Sequence, residues 1–585
     1  MLNTRPFFSW CRRLGGVLLG IMLSSPWAMT AESPRGMVAT VHPLATQAGV
    51  SALERGGNAV DAAVAAALTL GVVDGHNSGI GGGCLILVRR ADGKLFALDG
   101  RETAPAKAHR TMYVEAAAAG LGQDGRVGQG EGKRRATDYS QTGALAVAVP
   151  GALAAYELAV REHGRLTLSD LISPAAQIAE DGFAIDRVYA GNLADKAQLL
   201  ARFSASRAIL LKSDGTPYRE GERLVQTDLA KSYRAIAREG VQWFYQGEYA
   251  RQVEQWMQAH GGVLTASDLA NYRPRERNPL VTRYCGHTVV GFPPPSSGGI
   301  HVAQMLYMLQ QFPLEEWFEQ DSARCAHVII EAMKLAFADR AHWLGDSDFV
   351  RVPRGLMHPD YGRDLAQRIN LERATPVTQA GTPPEAATDV FSKHTTHVAA
   401  ADAAGNWVAL TATINTSFGS KVIVPGTGIL LNNEMDDFAV EPGVPNAFGL
   451  VGAEANAVEP GKRPLSSMSP TIVLRNGDPV FTVGAAGGPT IISQVLLAIV
   501  RQLNGRMSPA EALSGARFHH QWSPDGVRLE KSAPAELKRE LQARGHVLEE
   551  VSRMGVSQAI AWDSQRRLFV GVSDPRVPGL AAGPR

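Results

Sequence analysis

Residues 391–419 constrain this chain more than any other stretch, because they read as a hairpin fed by a segment that cannot itself be regular. Residues 398–401 are apolar and suit a strand. Ala403, Ala404, Gly405 and Asn406 supply a turn, and a second strand runs over 407–414. Side chains alternate faces along a strand, so Thr411, Thr413 and Asn415 share one side, with Thr395 at the head of the first strand, able to face them. Upstream, residues 371–393 place Pro376, Pro383 and Pro384 among Thr, Gln, Ala and Glu without periodicity, which predicts an exposed, poorly ordered connection. Threonine is a good strand former, so these threonines alone indicate only a strand.

A chain of 585 residues buries a large core, as two or more domains or one multilayer domain. A net charge of +1 gives no reason to expect nucleic acid or an anionic membrane as partner. Residues 1–31 read as an export signal: Arg5, Arg12 and Arg13, then an apolar run over 14–23, then small residues with cleavage near Ala28 or Ala31. The run is too short for a permanent membrane span. Taking these three arginines from 58 basic residues leaves 55 against 57 acidic ones. Cys11 leaves with the signal. The odd set Cys84, Cys285 and Cys325 is no disulfide framework, and Cys84 reads as a buried structural thiol.

The pattern then predicts a strand over 37–41, an Ala-rich helix after Asn58 and Asp61 to about residue 70, strands over 84–89 and 95–99, and a glycine-rich loop over 120–137. Residues 150–312 read as mostly helical. Further helices are expected from Ile300, over 331–344 and over 490–503, with strands over 471–474, 480–483, 558–563 and 568–572. No metal-ligand spacing stands out, and the adjacent His519 and His520 read as structural.

Thr395-Thr396-His397, Gly428-Ile429-Leu430-Leu431-Asn432-Asn433, Met435-Asp436-Asp437-Phe438, Pro464-Leu465-Ser466-Ser467-Met468-Ser469-Pro470 and Gly487-Gly488 occur in this order. Together they resemble the γ-glutamyltransferases (glutathione hydrolases) of bacterial type, over essentially all of the chain after its first thirty residues. The resemblance implies an α+β N-terminal-nucleophile hydrolase, a four-layer αββα sandwich formed jointly by two chains from one precursor. Cleavage between His394 and Thr395 would give a large subunit, 32–394, and a small one, 395–585, associated as a heterodimer in the periplasm or outside the cell.

The residue roles come from the same resemblance. Thr395 is the nucleophile, tuned by Thr413, and the backbone of Gly487 and Gly488 holds the oxyanion. Arg101, Ser466 and Ser467 take the donor's α-carboxylate; Asn415, Glu434 and Asp437 take its α-ammonium. Residues 439–449 match a lid, in which Phe448 stands where many relatives carry a tyrosine. Donors are glutathione and other γ-glutamyl amides; acceptors are water, amino acids or dipeptides; no cofactor or metal is implied. Two other readings stand beside it: a cephalosporin-acylase-like amidase, opposed by Arg101, Asp437, Ser466 and Ser467, and a non-catalytic periplasmic binding protein, which self-processing would exclude. Read singly, Arg101 at a strand end and the Asp436–Asp437 pair would be solvated, and Ser466–Ser467 would be a turn.

Overall fold

The computed structural model describes residues 29–121, 135–384, 397–441 and 443–585. Its main strands, in chain order, are β1 (Met29–Ser33), β2 (Gly36–Thr40), β3 (Gly83–Arg89), β4 (Leu95–Gly100), β5 (Arg275–Arg277), β6 (Leu280–Tyr284), β7 (His287–Gly291), β8 (His397–Asp402), β9 (Trp407–Thr413), β10 (Thr471–Arg475), β11 (Asp478–Ala486), β12 (Val556–Asp563), β13 (Leu568–Ser573) and β14 (Leu580–Ala582). They form two seven-stranded sheets, ordered β1-β13-β12-β11-β10-β7-β6 and β14-β2-β8-β9-β3-β4-β5. Every pairing in both is antiparallel.

The alternation of side chains along the strands builds the layers. On β8, Val398 and Ala400 join a core with helices α1 (Pro43–Glu54), α2 (Ala59–Val73) and α3 (Ala152–His163). Ala399 and Ala401 face the other sheet, in a core with Met37, Leu85, Leu87, Ile472 and Ile560. The outer face of the second sheet packs Val473, Val483 and Ala559 against α4 (Ser297–Leu309), α5 (Ser322–Trp343) and α6 (Thr490–Leu503). Helices, sheet, sheet, helices is the αββα sandwich. Small residues dominate the inner faces of β8 and β9, so the hairpin sits at the heart of the fold.

That hairpin is the predicted one, paired Val398 to Leu410 and Ala400 to Val408, with β2 and β3 on its flanks. Asp402 accepts from the Ala59 amide at 2.9 Å, fixing the hairpin's turn to the start of α2. There Asn58 and Asp61 form a reciprocal capping box that satisfies amides the helix cannot.

Local pattern misleads in three places. Strands β5, β6 and β7 lie in a region read as helical, because three to five residues are too few to separate periods of 2 and 3.6. Residues 371–384 are aperiodic as predicted but held down. The Thr375 amide donates to Glu331 Oε2 (3.0 Å), Ala374 N to Arg544 O (2.7 Å), and Trp522 Nε1 to Val377 O (2.8 Å). Last, β1 opens at Met29, so an export boundary at Ala31 would cut this strand and one at Ala28 would leave it whole. Among the described residues no helix is long and apolar enough to cross a membrane.

Candidate active site

Strand β9 ends at Thr413, and the chain leaves the sheet through Asn415 (φ 74°), Phe418 (φ 62°) and Lys421 (φ 69°), three non-glycine residues in the left-handed region. Such backbone is costly and persists only where its surroundings impose it. Here the loop after α2 does so: Ile414 N donates to Asn77 O (3.1 Å) and Phe418 N to His76 O (2.8 Å). Lys421, buried with burial pulling its pKa down to about 7, donates to Thr416 Oγ1 at 3.1 Å.

From this corner, hydrogen bonds run to the short 3-10 turn Glu434–Asp437. Asn415 N donates to Thr413 Oγ1 (2.7 Å) and Asn415 Nδ2 to Asn433 O (3.0 Å). Asn432 is the keystone. Its Nδ2 donates to Gly81 O and Ala148 O (2.8 and 2.9 Å), and its Oδ1 accepts from Ala148 N and Glu434 N, both at 3.0 Å. A fully satisfied buried amide of this kind specifies one geometry.

Arg101 follows the end of β4, where Arg463 Nη1 and Tyr272 Oη donate to its carbonyl (2.9 and 2.6 Å). Its side chain is completely buried, against the solvated expectation, because the Glu434–Asp437 turn covers it. Arg101 Nη2 donates to Asp437 Oδ2 at 2.8 Å, Nη1 donates to Glu434 Oε1, and Nη1 lies 3.1 Å from Glu102 Oε2. The ends of the expected zwitterion site are therefore in direct contact rather than apart. Removing these carboxylates from the buried guanidinium would cost several kcal/mol. Burial works against the Arg101 charge, but Glu434, Glu102 and Asp437 outweigh it and hold the proton on. Burial raises the Glu434 pKa well above that of an ordinary carboxyl; Arg101 opposes the shift, and the neighbouring Glu102 and Asp437 add to it.

Asn456 links this cluster to the serine segment: its Nδ2 donates to Asp437 O (2.7 Å) and its Oδ1 accepts from Leu465 N (2.9 Å). Ser466 and Ser467 are fully buried. Ser466 Oγ accepts from Met468 N (3.3 Å), and Ser467 Oγ accepts from Arg340 Nη2 (3.4 Å).

Gly487 (φ 132°) and Gly488 (φ 60°) connect β11 to α6 in backbone that disfavours any side chain. A Cβ on Gly488 would stand 2.7 Å from Phe448 Cδ1, so the Phe448 ring lies against this glycine. The loop carrying Phe448 is anchored twice: Ala447 N donates to Asp436 Oδ2 (2.9 Å), and Gln521 Nε2 donates to Gly449 O and Phe448 O (3.1 and 3.3 Å). Burial raises Asp436 to about 6.

Two expected residues, His394 and Thr395, lie outside the described residues. His397 is the first residue of β8. Its ring is buried, accommodated because Gly484 has no side chain, and held neutral by burial, which lowers its pKa to about 3. His397 pairs across the hairpin with Thr411, two residues before Thr413. Cys84 is buried with its thiol pKa raised, a structural residue as expected.

Among the described residues, His327, Glu331 and His546 present ligand atoms within 4.8 Å of one another. The arrangement serves as an anchor instead. His327 Nε2 donates to Asn370 O (2.7 Å), so its Nδ1 accepts from His546 Nε2 (2.7 Å). Lys334 Nζ sits 2.9 Å from Glu331 Oε1, where a metal would have to displace an ammonium.

Sequence reasoning gave no role to Asn432, Asn456, Arg340, Asp436 or Gln521. Asn432 and Asp436 fall inside quoted motifs. Arg340 and Gln521 act across 43 to 127 positions, which no local pattern marks, and Asn456 bridges 9 and 19 positions through irregular backbone that has no periodicity to read.

Residues 45–583 match the gamma-glutamyltranspeptidase family. The chain is 41% identical to the glutathione hydrolase proenzyme of Escherichia coli strain K12 over 555 residues, 94% of this chain and 92% of that protein. It is 39% identical to the acylase ACY 1 proenzyme of Pseudomonas sp. strain SE83, covering 91% of each. The crystal structure of a cephalosporin acylase from Bacillus halodurans superposes with a TM-score of 0.82 at 28% identity, over 100% of this chain and 99% of that one.

Proposed function

This chain belongs to the gamma-glutamyltranspeptidase family, and on that premise we propose that it is a self-processing γ-glutamyl hydrolase and transpeptidase acting on glutathione and related amides. Three acids round one buried guanidinium carry this reading. Arg101 gathers Glu102, Glu434 and Asp437 at one place, and this acidic setting suits a second cation beside it. The α-ammonium of a γ-glutamyl donor supplies it at Glu434 and Asp437, with Asn415 alongside. The donor's α-carboxylate goes to Arg101, Ser466 and Ser467. Opposite charges at the two ends select a zwitterion and leave its γ-carbonyl for Thr395.

Maturation comes first. The Thr395 hydroxyl attacks the His394 carbonyl, the peptide bond shifts to an ester, and water cleaves it to a His394 carboxylate and a free Thr395 amine. That amine has a reference pKa of about 7.7–8.0, so part of it is unprotonated near neutrality and takes the proton from its own hydroxyl. The hydroxyl adds to the γ-carbonyl, the oxyanion rests on the N–H groups of Gly487 and Gly488, and the leaving amine departs with the proton. Water, an amino acid or a dipeptide then takes the γ-glutamyl group from the Thr395 ester. Thr413 lies at the end of β9 to hold the nucleophile.

The sheets support a cut that leaves a heterodimer. Strands β1 to β7 precede the bond and β8 to β14 follow it, yet each sheet interleaves both sets. Separating the products would break β-ladders in both layers. The first thirty or so residues direct export. The acylase reading is tested with a glutaryl anilide, which lacks the α-amino group. Preference for the γ-glutamyl anilide by a hundredfold or more, about 2.7 kcal/mol, supports the zwitterion reading; equal rates refute it. Thr395→Ala must remain one inactive chain, and two bands from it would mean that another protease makes the cut.

A further inference from the structure

Arg340, on α5, is a buried guanidinium whose recorded hydrogen-bond partners among the described residues are serine hydroxyls, not carboxylates. Nε donates to Ser297 Oγ at 3.0 Å and Nη2 to Ser467 Oγ at 3.4 Å. Burial pulls its pKa down to about 10, and the nearby Asp437 offsets part of that. Interiors avoid a desolvated cation with no carboxylate hydrogen-bonded to it unless something repays it.

Donor and acceptor rules show what Arg340 does to its neighbours. Arginine only donates, so both serine oxygens must accept from it. Ser297 then sends its own proton to Ser466 O, which is also held by Ser297 N at 3.0 Å. Ser467, having accepted from Arg340, keeps its hydroxyl proton to donate. Ser466 is set the same way, since its Oγ already accepts from Met468 N. Two adjacent buried hydroxyls are thus turned into donors, with a guanidinium behind one of them. That arrangement fits a carboxylate.

We propose that Arg340 is a positioning residue for the donor's α-carboxylate, orienting Ser467 and supplying the positive charge that Arg101, already engaged by three acids, cannot supply alone. The proposal rests on the reading of Ser466 and Ser467 as the carboxylate site.

The test compares two competitive inhibitors of γ-glutamyl anilide hydrolysis: L-glutamate, and isoglutamine, whose α-carboxylate is a neutral amide. Wild type should favour L-glutamate. Arg340→Met should shrink that preference about tenfold, the scale of one charge-assisted contact, while the isoglutamine Ki moves less than about threefold. KM for the anilide should rise with kcat nearly unchanged. Arg340→Lys, which keeps the charge, should recover part of the preference, and two-chain processing on a gel checks that each variant folds. An equal rise in both Ki values, or an unchanged preference, overturns the proposal. Ser467→Ala separates the two failures. If it also leaves the preference unchanged, the carboxylate reading falls; if it alone shrinks the preference, only the role of Arg340 does.

Discussion

On the proposal that residues 439–449 form a lid over the donor site, Gln521 should control how far that loop opens, and replacing it should change which donors are turned over. Its Nε2 reaches two main-chain carbonyls of that loop, Gly449 O at 3.1 Å and Phe448 O at 3.3 Å, besides Ser523 O at 3.5 Å on its own segment. Carbonyls only accept, so the NH2 group must face them and Oε1 must face His519 Nε2, 3.1 Å away. His519, neutral because burial lowers its pKa to about 3, then accepts from Ser493 Oγ on α6 at 2.7 Å. The loop is thereby latched to the helix that follows Gly487 and Gly488. Gln521→Leu removes both latch bonds. At a net 0.5–1.5 kcal/mol each, about 1–3 kcal/mol of closure is lost, so the open-to-closed ratio rises roughly 5- to 150-fold. Steady-state kinetics on a bulky γ-glutamyl anilide and on glutathione read this directly. The ratio of the two kcat/KM values should shift toward the bulky donor by about fivefold or more, with processing into two chains intact. Gln521→Glu, which turns an acceptor toward two carbonyls, should shift it at least as far. Phe448→Tyr, which gives the packed ring a hydroxyl, should move the ratio the other way. A Gln521→Leu enzyme that is fully processed and keeps the wild-type ratio refutes the latch.

Arg101→Ala and Asp437→Ala should each cost about 2–5 kcal/mol of kcat/KM on a γ-glutamyl anilide while leaving processing intact, and a loss under about threefold removes that residue from the donor site. Gly484→Ala would drive a methyl group into the buried His397 ring; overpacking of this kind costs about 1–3 kcal/mol, so a lower melting temperature and delayed appearance of the two chains are expected on calorimetry and gels, and a wild-type melting curve would contradict the contact. Asp436 is raised from an unfolded value near 4 to about 6, so the folded protein holds its proton more tightly; the stability that this group contributes is fully present below pH 4 and is lost, by roughly 3 kcal/mol, as pH rises through 6. Asp436→Asn should remove that fall, and parallel wild-type and variant curves of stability against pH would exclude Asp436 as its source.

Legibility in this sequence followed the range over which each interaction acts. The β8–β9 hairpin could be read because alternation and the turn at Gly405 are local, and helix α2 because Asn58 and Asp61 cap it within four residues. The site could be listed by resemblance but not assembled. Arg101 and Asp437 are 336 positions apart, and their burial depends on one element covering the other. A strand-end arginine and an aspartate pair look solvated until that cover is known. The connection over 371–384 shows the converse: its anchors are mostly its own backbone groups, caught by Glu331, Arg544 and Trp522, and backbone groups leave no mark in composition. Charge completes the picture. Residue by residue, Arg101 looks sufficient for a carboxylate. In the fold it is already shared among Glu102, Glu434 and Asp437. On the proposed reading the acids beside Arg101 take the donor's ammonium and the serines its carboxylate, which is why a zwitterionic donor, rather than a simple acyl group, would suit the site.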